Sequence, residues 1–165
     1  MISVVIETLN DEEALAHTLA SLVGGSVEGL VREVIICDLG STDQTQKVAD
    51  IAGCNWLATG GVAAAARQAR GEWLLLLEPG AVMAEGWIEP AAVHCARATM
   101  AANFTNRQQR PLFSRVLRRN RALERGFLVR KGQAAALAQN RPNAEAIARG
   151  VAVKQLSAGI YPAGL

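Results

Sequence analysis

Arg32-Glu33-Val34-Ile35-Ile36-Cys37-Asp38-Leu39-Gly40-Ser41-Thr42-Asp43-Gln44-Thr45 is the stretch that decides the fold. Its apolar run, Val34 to Cys37, shows no polar alternation. That marks a strand covered on both faces, as in a parallel sheet. The run ends on Asp38 and the turn Leu39-Gly40. Ser41 offers a hydroxyl cap with Gln44 three residues on, which predicts a helix start at a capping box. Val48, Ala49, Ile51 and Ala52 then share one helical face, and Gly53 supplies a stop. The unit is strand, turn, helix, with Asp38 and Asp43 at the carboxyl end of the strand, where open α/β sheets bind ligands. Two readings of these carboxylates stand side by side. They accept hydrogen bonds from a base or ribose, or Asp43 favours the helix dipole and Asp38 a turn.

Outward from this unit the pattern repeats. Ile2 to Ile6 is a β-branched run that predicts a first buried strand. Asn10 with Glu13 has capping-box spacing, and Leu15, Thr18, Leu19 and Leu22 continue as a helical stripe that Gly24-Gly25 is expected to end. His17 lies on that helix with no partner in view and reads as a surface residue. Cys54 to Leu57 predicts a short strand, and the alanine-rich stretch from Val62 to Arg70 a helix. Trp73 to Leu77 is the most hydrophobic run, bounded by Gly71 and Pro79-Gly80, and suits a central strand. Glu78 follows at its carboxyl end, and Trp87 to Ala98 reads as a helix with Pro90 in its first turn. Strand–helix alternation of this kind predicts right-handed crossovers and a mostly parallel sheet with helices on both faces. Three strands then bring Thr8, Asn10 and Asp11, Asp38, and Glu78 to one edge. Further strands are expected at Met100–Phe104, Phe127–Val129 and Val151–Leu156. Helices are expected at Pro111–Leu123, Ala134–Ala138 and Ala144–Arg149, and Gly159 to Leu165 reads as a loosely fixed tail.

At 165 residues, half of them hydrophobic and 19% charged, the chain is globular and large enough for one core. No apolar run approaches the roughly 20 residues that span a bilayer, and no basic segment precedes the first apolar run, so a cytoplasmic protein is expected. Cys37, Cys54 and Cys95 form neither a metal pattern nor a disulfide framework. The net charge of +2 is unevenly spread. Residues 1–104 hold 5 basic and 13 acidic residues, residues 105–131 hold 9 and 1, and residues 132–165 hold 3 and 1. The basic block includes Arg110, Arg115, Arg118, Arg119 and Arg121 around an apolar stripe. Such a segment is either a solvated helix face or a peripheral contact with an anionic membrane surface. No aromatic platform or RNA-reading motif accompanies it, so nucleic acid is not an expected partner.

Four segments resemble the family 2 glycosyltransferases: Ser3 to Glu12, Glu33 to Asp43, Ala69 to Leu77, and Glu85 to Ile88. The second is the most specific, since the family commonly reads D-x-G-S-T-D there. The resemblance covers roughly residues 2–98 and is fainter to about 157. It implies the GT-A fold, a Rossmann-like three-layer α/β domain. Residues 1–104 would be the nucleotide-sugar-binding half and 105–165 a reduced, basic acceptor half. The implied activity is transfer of a sugar from a nucleotide-diphosphate donor to an acceptor the sequence does not identify. Thr8, Asn10, Asp11 and Asp38 match nucleotide-gripping positions, with Gly40, Ser41 and Asp43 shaping the turn.

The departures bear on catalysis. Glu7 stands where the family usually has proline. The family's D-x-D or H-A-D-T motif, which holds Mg2+ or Mn2+ against the diphosphate, falls on Glu78-Pro79-Gly80-Ala81. Glu78 supplies one metal-binding carboxylate and Gly80 none, so the motif is degenerate. Leu123 to Arg130 resembles the family's G-D-Q-G-I-F-V-R segment and puts Glu124 at the catalytic-base position, with Glu145 its rival. The alternative to an active transferase is a catalytically inactive nucleotide-sugar-binding or regulatory module on the same fold.

Overall fold

A computed structural model describes residues 1–108 and 121–164. Among them, eight strands form one sheet in the order β3-β2-β1-β4-β7-β6-β8-β5. β1 (Ile2–Thr8), β2 (Val31–Asp38), β3 (Asn55–Leu57) and β4 (Trp73–Leu77) are the parallel half. α1 (Glu12–Val27), α2 (Thr45–Ile51) and α3 (Gly61–Gln68) connect them. β7 (Phe127–Arg130) runs antiparallel to β4, and the sheet continues through β6 (Ala102–Asn106) and β8 (Lys154–Tyr161) to the short β5 (Val82–Met83). Residue 104 lies inside β6, so one sheet runs through both halves of the chain.

Alternation along the strands divides the core between two faces. Ile2, Val4 and Ile6 of β1 and Trp73, Leu75 and Leu77 of β4 pack with Leu15, Leu19 and Leu22 of α1. α4 (Ile88–Arg97) covers the same face through Ala91. Val5, Leu74 and Leu76 point to the other face and meet Val62, Ala65 and Ala66 of α3. α5 (Lys131–Ala138) and α6 (Ala144–Ala148) complete that layer through Ala134 and Ile147. Burial on both faces explains why β4 reads as an unbroken apolar run: its five side chains are at most 1% exposed.

Three local expectations are corrected, and a fourth is described only at its end. Gly24-Gly25 does not end α1, which continues to Val27. Gly25 instead admits the Trp87 indole, whose Cζ2 lies 2.7 Å from where a Cβ would sit. The capping box at Ser41 is absent, because α2 begins at Thr45 and Ser41 is committed elsewhere; Asn10 likewise precedes α1 without capping it. The last strand starts at Lys154 and runs to Tyr161, so the expected tail is largely sheet, with Pro162 and Ala163 buried beyond it. Most of the helix expected over Pro111–Leu123 lies outside the described residues, and its end, from Ala122, belongs to a 3-10 turn at Ala122–Arg125. His17 is exposed, as expected.

Gly71 sits where the α3–β4 turn crosses β1. A Cβ there would lie 2.5 Å from Ser3 N and 2.8 Å from Ile2 C, both backbone atoms that cannot step aside. Gly132, near the start of α5, has open space at that position and no left-handed backbone. Gly71→Ala is expected to destabilise by about 1–3 kcal/mol through overpacking, and Gly132→Ala to stabilise by about 0.5–1 kcal/mol through helix propensity. Urea unfolding of the two variants checks the opposite signs.

Candidate active site

The β1–α1 and β2–α2 loops leave neighbouring parallel strands, with Thr8 paired to Asp38 at their carboxyl ends. Their polar groups bind the loops to each other. Asp38 Oδ2 accepts from Gly40 N and Ser41 N, at 2.9 Å each, and Oδ1 accepts from Ser41 Oγ and from Thr8 Oγ1 at 3.2 Å. Asn10, held at φ 57, donates its N–H to Ser41 Oγ at 2.9 Å and accepts at Oδ1 from Thr42 N at 2.7 Å. Glu12 N donates to Asp43 Oδ2, while Gln44 N donates to Glu12 Oε2. Asp11 N donates to the buried Thr45 hydroxyl, and Asp43 Oδ1, just before α2, accepts from Thr45 N two residues on. Asp38 therefore shapes a turn, and Asp43 stands at the start of α2, where a carboxylate favours the helix dipole.

These bonds set the charge states. Partial burial works to raise the pKa of Asp38, but hydrogen bonds from Ser41, Gly40 and Thr8 outweigh it and hold the carboxyl below its ordinary range. The Thr45 hydroxyl does the same for Asp43.

Beside the laced loops opens a cleft of ≈430 Å3, lined by Asp11 and Leu39 of those loops and by Arg121, Leu123 and Glu145. Glu7 and Glu78 also line it. Four carboxylates face this space, and each has a hydrogen-bond or ion-pair partner. Asp11 Oδ2 accepts from Leu9 N. Glu7 Oε2 accepts from Ala144 N at 2.7 Å, which fixes the start of α6. Burial pushes the Glu7 carboxyl above its usual value, against the opposing effect of that N–H. Glu145 accepts from Ala122 N and Leu123 N, each at 2.9 Å, and pairs with Arg149. Although partial burial raises its pKa, those donors prevail and hold it low. Glu78 Oε1 lies 3.4 Å from Arg121 Nε. Glu124 is half-buried, takes a 3.4 Å bond from Asn106 Nδ2, and is not among the residues lining the cleft.

The residues where a divalent cation would be expected do not suit one. Glu78-Pro79-Gly80-Ala81 forms a tight turn with Ala81 N donating to Glu78 O, Pro79 at its second position, and Gly80 at φ 88. This is type II turn chemistry. Gly80 N donates to both Ala14 O and Thr18 Oγ1, and an added Cβ would lie 3.3 Å from Ala163 Cβ. A ligating side chain at 80 is therefore opposed by both backbone conformation and space. Among the described residues, no three His, Cys, Asp or Glu side chains cluster as a metal site.

The model of glycosyl transferase family 2 matches residues 3–143. The chain belongs to that family. Similar solved structures include glucosyl-3-phosphoglycerate synthase from Mycobacterium tuberculosis with Mn2+, UDP and phosphoglyceric acid. It is 19% identical, with a TM-score of 0.60, over 81% of this chain and 56% of that one. The same enzyme was solved with Mg2+ and UDP. S. aureus TarS, residues 1–349, is 19% identical with a TM-score of 0.68, over 98% of this chain and 60% of that one. At these identities the likeness establishes the GT-A fold, and the chain spans under two thirds of those chains. None of the curated proteins compared with the chain matches it. Among the described residues, no helix is long and apolar enough to cross a membrane.

Within this family 2 domain, Asp11, Glu78 and Glu145 meet in the cleft, while Thr8, Asn10, Asp38, Gly40, Ser41 and Asp43 belong to the laced loops beside it and are not among the residues lining it. Arg110, Arg115, Arg118 and Arg119 lie outside the described residues. Arg121 faces the cleft, paired with Glu78, rather than standing on a helix face. Sequence reasoning missed that pairing, the Glu7–Ala144 bond, and Asn143, which caps α6 by accepting from Ala146 N at 2.8 Å. The Asn143 cap was visible as Asn before a short helix. The two long-range contacts had no local signal.

Stability should respond to pH in opposite senses at two of these carboxyls. Asp38 has a lowered folded value, so its contribution is full above the ordinary aspartate value of 3.8 and fades as pH falls through the folded value. Glu7 has a raised folded value, so its contribution is full below 4.5 and is lost as pH rises through the folded value. Asp38→Asn should therefore lose most against the unmodified protein at neutral pH, with the gap closing in acid. Glu7→Gln, which retains an acceptor for Ala144 N, should gain on it as pH rises. Urea midpoints from about pH 3 to about pH 8 test both, and parallel curves would contradict the assignment.

Proposed function

We propose that this chain transfers a glycosyl group from a nucleoside-diphosphate sugar to an acceptor hydroxyl. The observation that carries the reading is the cleft itself. It opens at the carboxyl ends of adjacent parallel strands, against the laced loops, in a chain of glycosyl transferase family 2. The structures solved with UDP and a divalent ion support the donor class without identifying the sugar or base.

In this reading Thr8, Asn10, Asp11 and Asp38 form the nucleoside wall, and Gly40, Ser41 and Asp43 hold its shape. The Thr8–Asp38 bond, at 3.2 Å, is the longest of the four that Asp38 accepts, and is the one a ligand donor displaces most readily. The acceptor oxygen bonds to the anomeric carbon as the bond from that carbon to the diphosphate breaks. The bonding pair leaves on the diphosphate oxygen, and the hydroxyl proton passes to a cleft carboxylate. Of Glu124 and Glu145, Glu145 is the one that lines the cleft. Its low pKa keeps it ionised at neutral pH but makes it a modest base, so positioning carries most of its effect.

The test is calorimetry with nucleoside-diphosphate sugars, followed by an assay for free nucleoside diphosphate. Asp38→Ala is expected to weaken donor binding by about 1–3 kcal/mol, the cost of losing a charge-assisted hydrogen bond and the turn it shapes. Unchanged affinity would rule out this pocket. Donor binding without turnover, with or without an acceptor, would identify a binding module instead.

A further inference from the structure

We infer that Arg121 is the diphosphate-binding cation of this cleft, in the place where the family uses a metal ion. The inference rests on the donor class proposed above and concerns how this chain holds the leaving group.

Charge makes the demand explicit. Glu7, Asp11, Glu78 and Glu145 all line the cleft, and among the described residues lining it Arg121 is the one lysine or arginine. A diphosphate entering beside four carboxylates needs a positive partner. The Glu78-Pro79-Gly80 turn does not supply a metal site, because Gly80 is fixed at φ 88 against Ala163 and carries no ligand. Glu78, which the motif would give to the metal, instead pairs with Arg121 through Nε at 3.4 Å. The pair is asymmetric. The Glu78 side chain is 12% exposed and that of Arg121 47%. The guanidinium is thus paired through Nε, and its half-exposed side chain lines the cleft.

Its backbone is anchored as well. Arg121 O accepts from Glu124 N, and the next two N–H groups, of Ala122 and Leu123, are held by Glu145. The Leu123 side chain is buried beneath. Guanidinium keeps its charge at all working pH values, and its planar donors match two phosphate oxygens at once. Glu78 is then a positioning residue. It aims the guanidinium, and the pairing removes its own repulsion of the diphosphate.

The experiment compares UDP, GDP, CDP and ADP with their monophosphates by calorimetry, in EDTA and in Mn2+. It uses the unmodified protein, Arg121→Gln and Arg121→Lys, each checked for an unchanged thermal midpoint. The unmodified protein is expected to bind one diphosphate in EDTA with a Kd close to that in Mn2+. Arg121→Gln should raise that Kd about tenfold or more and collapse the preference for diphosphate over monophosphate. Arg121→Lys, which keeps the charge but loses the fork, should fall between. Diphosphate binding that requires Mn2+, or that survives Arg121→Gln unchanged, overturns the inference while leaving the donor class standing. Failure of every nucleotide to bind the unmodified protein overturns both.

Discussion

The site depends on the Asp38 carboxylate and the turn it closes. With four donors on its two oxygens, Asp38 fixes Leu39 to Ser41 in a conformation that glycine at 40, φ 106, can adopt. That turn places Ser41 Oγ to receive Asn10 N and exposes Thr42 N to Asn10 Oδ1. The second loop is thereby bound to the first. Glu12 and Asp43 then each accept a backbone N–H at the start of the neighbouring helix, across the gap between α1 and α2. Preorganisation of this kind lowers the ordering cost a ligand would otherwise bear.

The opposite end of the sheet is fixed by a comparable device. Glu33 accepts from Ser3 Oγ, Asn55 Nδ2, Arg70 N and Arg70 Nε, so one carboxylate joins β1, β2, β3 and the turn into β4. Gly71 N donates to the same Ser3 hydroxyl. Between these polar ends the strands carry apolar side chains to both faces. Strand register is therefore fixed twice, by burial along its length and by carboxylates at its edges.

The parallel half was legible because its strands are buried on both faces, which writes itself as Val34 to Cys37 and Trp73 to Leu77. The edge that gathers Asp11, Asp38 and Glu78 followed from that topology. Helix ends were less legible. Ser41 and Asn10 have the chemistry of local caps, but each is used across loops about thirty residues apart in sequence, a competition no local pattern reveals. Gly25 looked like a stop because a glycine that admits an indole has the same sequence signature as one that ends a helix. Pro79-Gly80 does announce a type II turn, and that turn explains why position 80 offers no ligand. The Glu78–Arg121 and Glu7–Ala144 contacts join residues 43 and 137 positions apart, which only the folded chain brings together.

This family 2 domain thus joins two laced loops at one sheet edge to a Glu78–Ala81 turn whose Gly80 offers no ligating side chain. The central claim is that the cleft beside those loops receives a nucleoside diphosphate. Amide chemical-shift mapping during titration with UDP, GDP, CDP and ADP tests it most directly. The account predicts that one of them perturbs the amides of Leu9 to Asp11, Leu39 to Asp43, and Arg121 to Leu123 together. Perturbation confined instead to the groove between α4 and β8, around Arg97 and Lys154, or no perturbation by any of the four, would contradict it.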